Sequence, residues 1–77
     1  MKNESNYPRH IYRILVKETL DQNFIDRLSN FHCEPQEDGK TMIIGSFSDQ
    51  PDLRGFLDQL WNLNITILSV ERNKNEN

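Results

Sequence analysis

Three features of the 77-residue sequence predict a ferredoxin-like α+β sandwich. Six segments alternate in apolar periodicity as β-α-β-β-α-β. An Asp38-Gly39 pair sits between the second and third strands, and a proline, Pro35, falls within the second. Asp-Gly is a tight-hairpin signal, so the middle strands pair with each other. Proline lacks the amide a sheet ladder needs, so its strand belongs at an edge. Right-handed β-α-β crossovers then leave a four-stranded antiparallel sheet of order 4-1-3-2 with two helices on one face.

Each element has a local cause. In residues 10–17, Tyr12, Ile14 and Val16 alternate with Arg13, Leu15 and Lys17, the period of a strand with one buried face. Asp21 is placed to cap a helix, with Leu20 and Ile25 flanking it as a hydrophobic staple. Phe24, Leu28 and Phe31 follow at i, i+4 and i+7, which predicts a helix of nearly three turns. Residues 32–37 are polar and form the edge strand. Residues 41–47, Thr-Met-Ile-Ile-Gly-Ser-Phe, are apolar on both faces and read as a central strand. Ser48 or Asp49 caps the second helix, Pro51 sits in its first turn and Asp52 suits its positive end. Leu53, Phe56, Leu57 and Leu60 mark its apolar face. Gly55 lowers its helix propensity by about 1 kcal/mol relative to Ala, which a close approach to a neighbouring strand would explain. Asn64 can supply a left-handed cap, and residues 65–72 form the last strand. Residues 1–9 and 73–77 are polar and aperiodic, so they read as flexible tails around a single domain at 10–72.

Composition narrows the function. Nine Lys and Arg against twelve Asp and Glu give a net charge of −3, which argues against a general binder of nucleic-acid backbone. No apolar run reaches the roughly 18 residues of a membrane span, and the polar start reads as lacking a secretory signal. One cysteine excludes an internal disulfide framework and fits a reducing, cytoplasmic setting. Cys33 has His32 beside it, but strand neighbours point to opposite faces, so no nucleophile-base pair is expected. The two histidines and the cysteine have no metal-ligand spacing, and no glycine-rich phosphate cradle exists. No metal, cofactor or catalytic site is expected, and the chain does not read as an enzyme.

The uncovered sheet face is the candidate site. The first strand sends Ile11, Arg13, Leu15 and Lys17 there, and the third sends Met42, Ile44 and Ser46. The last strand sends either Ile65 and Ile67 or Thr66, Leu68 and Val70. RNA-recognition sheets carry aromatic stacking platforms at the central positions, whereas Leu15, Met42 and Ile44 stand here, so nucleic acid is not expected. An apolar cluster on adjacent strands marks an interface. The expectation is a protein-interaction module that forms a homodimer, or binds another protein, through Leu15, Met42, Ile44 and Ile67. The lone Trp61, at the boundary of the helix stripe, is expected to be half-buried packing.

Residues 12–72 resemble a group of small uncharacterised bacterial proteins. The shared features are a Tyr-Arg-Ile-Leu-Val-Lys start (12–17), an Asp-Gly hairpin (38–39), an Asp-Gln-x-x-Leu-x-Gly-x-Leu helix (49–57) and a Leu-Ser-Val-Glu-Arg end (68–72). That resemblance implies the fold and carries no activity. Residues 47–70 are also similar to the first β-α-β unit of ACT regulatory domains, through Asp49 in an acidic loop, the Leu-rich helix and Asn64-Ile65. Gln50-Pro51-Asp52 stands where that unit has its helix-opening glycine. The similarity implies, as an alternative function, small-ligand binding at Asp49, Gln50, Asp52 and Leu53.

Overall fold

The computed structural model describes residues 10–28 and 31–73. They form β1 (His10–Val16), α1 (Gln22–Arg27), β2 (His32–Pro35), β3 (Thr41–Phe47), α2 (Gln50–Asn62) and β4 (Ile67–Arg72). The architecture is α+β: a four-stranded antiparallel sheet of order β2-β3-β1-β4, with two helices. This is the expected strand order counted from the opposite edge. The tails expected at 1–9 and 73–77 lie outside the described residues except for Asn73. Its amide donates to the Ile11 carbonyl at 2.7 Å.

Cross-strand register sorts the side chains. Ile14 pairs with Ile43, Val16 with Thr41 and His10 with Phe47, and directly opposed residues share a face. On that face Ile14, Val16, Ile43 and Phe47 are buried, and Leu28, Phe56, Leu60 and Ile65 complete the core. Phe24 from α1, and Leu53 and Leu57 from α2, pack against the same cluster. Both helices thus cover one side of the sheet. Burying each such side chain is worth about 1.5–3 kcal/mol, which holds in place two helices too short to persist alone.

The caps follow from side-chain chemistry. Asp21 accepts from the Phe24 amide and Asp49 from the Asp52 amide, each at 2.9 Å. Asp52 in turn accepts from the Ser48 amide at 3.0 Å, so the start of α2 is tied down reciprocally. At its other end Asn64 takes φ 63°. Its amide donates to the Trp61 carbonyl and the Ile65 amide donates back to Leu60, which delays β4 to Ile67. The hairpin uses Asp38 and Gly39 at φ 68° and 80°, within a short 3₁₀ turn at Glu37–Gly39. Behind it the buried Thr41 hydroxyl donates to the Glu18 carbonyl at 2.9 Å. It also accepts from the Leu20 amide at 3.3 Å. The Glu18 carboxylate then reaches the Thr66 amide at 2.9 Å and prolongs the contact between the end of β1 and the approach to β4.

Three expectations change. First, α1 spans six residues rather than three turns, because Leu28 leaves helical geometry at ψ 48°. Phe31 lies beyond the helix. Its ring stacks on Phe47 and Phe56 at centroid distances of 5.5 and 4.6 Å and lies over Gly45. Second, the glycine demanded by a close approach is therefore Gly45; a Cβ on Gly55 would meet only open space. Third, β4 changes parity. Leu15 pairs with Ser69 but Val16 with Ile67, so Leu68 is the extra residue of a bulge. Ile67 consequently turns to the covered side and packs against the core, away from Leu15, Met42 and Ile44.

Candidate functional site

The uncovered face is a grid set by strand register. One row across the sheet reads Glu34, Met42, Leu15, Ser69, and the next reads His32, Ile44, Arg13, Glu71. Ile11 and Ser46 pair beyond them. Leu15, Met42 and Ile44 are therefore mutual neighbours on the two central strands. All three are half-buried, whereas Ile14, Val16 and Ile43 on the covered side are fully buried. Charges of both signs ring this apolar centre. Arg13 stands opposite Glu71 on β1 and β4, and on β2 the His32 ring lies 3.0 Å from the Glu34 carboxylate. The bulge gives the β4 part of the face to Ser69 and Glu71, so its apolar extent is narrower than the sequence predicts. The sequence carried no sign of that bulge.

The residues expected to form a ligand loop are placed differently from one another. The Asp49 and Asp52 side chains are engaged in capping α2. Gln50 and Leu53 line a hollow of about 580 Å³ together with Pro51, Arg54, Leu57 and Asp58. A second hollow, of about 650 Å³, lies on the other flank of α2 between Phe31, Phe47, Phe56 and Gly55.

Cys33 pairs with Ile43 on the covered side, and burial pushes its thiol up from the ordinary range. His32 points to the other side of the strand and meets Glu34. Among the described residues no three His, Cys, Asp or Glu side chains gather around a metal-sized site. No helix among them is long and apolar enough to cross a membrane.

Trp61 is not half-buried: it is 73% exposed. The reason is angular. It lies one residue past Leu60, which is in the core, and turns away from the sheet. Among the described residues, the other large apolar side chains with substantial exposure are Leu63, Leu68 and Val70. All four lie on β4 or at the end of α2 that feeds it, a concentration that the sequence showed only as the adjacency of Trp61, Leu63 and Leu68.

These features define a small α+β domain whose described residues carry a half-exposed apolar sheet face. Residues 11–71 match the family model described as Domain of unknown function (DUF8691), and the chain belongs to that family. No curated protein and no solved structure matches it.

Proposed function

We propose that this domain is a non-catalytic protein-interaction module, built on a ferredoxin-like frame, that self-associates through its uncovered sheet face. The β-α-β-β-α-β order and the strand order β2-β3-β1-β4 support the frame. The observation that carries the function is the adjacency of Leu15, Met42 and Ile44 at the centre of a face that no helix among the described residues covers, flanked by Arg13, Glu71, His32 and Glu34. A two-fold contact must be self-complementary, and an apolar centre bordered by both signs of charge meets that condition. A domain this small also buries a modest fraction of its surface alone, so association adds to its stability.

Light scattering over a concentration series tests the reading. The wild type gains mass with concentration, and Ile44→Lys, which places an ammonium at the centre of the face, lowers it. A wild type that stays monomeric at millimolar concentration overturns the proposal.

A second reading, an ACT-like small-ligand domain, is favoured by one observation: Gln50 and Leu53 border the 580 Å³ hollow on α2. A thermal-shift screen of amino acids and nucleotides separates the two readings, because a ligand of the folded state raises the melting temperature as its concentration passes the dissociation constant.

A further inference from the structure

Helix α2 carries a hollow and a protrusion on one outer face. Gln50, Leu53, Arg54 and Leu57 fall at i, i+3, i+4 and i+7, so they surround a single patch of helix surface. With Pro51 and Asp58 they line the hollow of about 580 Å³, to which no other described element contributes a lining residue. Leu53 and Leu57 are half-buried and give it an apolar floor. Trp61 stands one turn further along the same face and is 73% exposed. Four residues at this spacing form the kind of hole that receives a side chain from a facing helix.

Opposite charges flank that face. Arg54 and Asp58 are both exposed, one turn apart on the same side of the Leu53, Leu57 and Trp61 row. Neither is paired within its own copy: the ion pairs among the described residues join His32 to Glu34 and Lys40 to Asp38.

We infer that the outer face of α2 is a second contact between copies, in which two α2 helices pack antiparallel about a two-fold axis near Leu57 and each Trp61 enters the hollow of the other. Complementarity within these residues selects the occupant. Trp61 and Leu53 each lie four residues from Leu57, so the axis sets Trp61 of one copy over Leu53 of the other, in the middle of the hollow. Reversing one helix also brings the same flank of each together, and whatever Arg54 meets across the axis, its symmetry mate meets in return. Arg54 then lies within about 3 Å, measured along the helix, of Asp58 in the second copy, at a rise of about 1.5 Å per residue. A parallel pairing would bring tryptophan to tryptophan and hollow to hollow. Two exchanged indole rings bury about 300–500 Å², a large share of the roughly 1,200 Å² at which specific interfaces begin. The contact lies across the sheet from the uncovered face, so the two form independently.

Trp61 is the one tryptophan in the chain, and its emission reports this contact and none at the uncovered face. The expected result is an emission that moves to the blue between micromolar and millimolar protein, in the wild type and equally in Ile44→Lys. Emission typical of an exposed indole at every concentration overturns the inference, as does blue emission at every concentration, which would mean that Trp61 is covered within its own copy. Loss of the shift in Ile44→Lys overturns the independence of the contact. Charge reversal gives a second readout, with circular dichroism to check folding. Arg54→Asp and Asp58→Arg should each weaken the association by about tenfold, because like charges then meet across the axis. An equimolar mixture of the two variants should recover it, since each reversed charge meets its opposite only in the unlike copy. A mixture no tighter than the single variants overturns the antiparallel pairing. If Ile44→Lys leaves the mass by light scattering unchanged while the charge reversals lower it, the face contact fails and the α2 contact stands.

Discussion

Replacing Gly45 with alanine should destabilise the domain through one ring. A Cβ at this position would stand 2.0 Å from Cδ1, 2.3 Å from Cε1 and 3.3 Å from Cγ of Phe31. Ordinary carbon contacts begin near 3.5 Å, so the ring must retreat by about 1.5 Å. It cannot do so without loosening its contacts with Phe56 and Phe47, at centroid distances of 4.6 and 5.5 Å. Each aromatic pair is worth about 0.5–1.5 kcal/mol beyond burial, and overpacking costs about 1–3 kcal/mol. Against this, removing a glycine from a strand restores about 0.5–1 kcal/mol. The net expectation is a loss of about 2 kcal/mol, or roughly 10 °C in melting temperature for a domain of this size. Urea denaturation of Gly45→Ala, Phe31→Ala and the double variant reads the effect as a cycle. In the Phe31→Ala background Gly45→Ala should become neutral or stabilising. An equal cost in both backgrounds would refute the assignment to Phe31, and no cost in the wild type would refute the close packing itself.

Gly55→Ala should have the opposite sign: its Cβ meets only open space, so better helix propensity stabilises the domain by about 1 kcal/mol in the same urea assay. Asp49→Ala removes the acceptor of the Asp52 amide and should lower stability by about 1 kcal/mol, read as a lower melting temperature. Glu18 has a lowered pKa, first because it accepts from the Thr66 backbone amide. Its stabilising effect is complete above the ordinary value of 4.5 and is lost as pH falls through the lower folded value. Stability profiles of the wild type and Glu18→Gln should therefore differ at neutral pH and converge in acid. The Cys33 thiol, raised by burial, should react with an aromatic disulfide at neutral pH more slowly than free cysteine does and reach the ordinary rate on unfolding.

Local chemistry made much of this architecture legible. Asp21, Asp49 and Asn64 cap the helices as their side chains require, because a cap is a contact within a few residues. Pro35 and Asp38-Gly39 placed the edge and the hairpin for the same reason, and together these fixed the strand order. The length of α1 was not legible: Phe31 continues the helical spacing of Phe24 and Leu28, yet its ring is held by Phe47 and Phe56, which lie far along the chain. Gly55 and Gly45 show the same limit, since a glycine reports that something is tight only when its neighbours in space are known. The uncovered face was legible in β1 and β3, whose register runs without a bulge, and not in β4. There a single bulged residue reverses every side chain before it, sending Ile67 inward and leaving Ser69 and Glu71 outside. Trp61 needed the actual angle of α2 about its axis, which an apolar stripe defines only to within one residue.

The most direct test of the central claim follows methyl resonances as the protein is diluted from millimolar to micromolar concentration. If the uncovered face is where two copies meet, the methyl signals of Leu15, Met42 and Ile44 shift together with concentration while the buried methyls of Ile14 and Ile43 stay fixed. Resonances of Leu15, Met42 and Ile44 that do not move across that range would contradict the account.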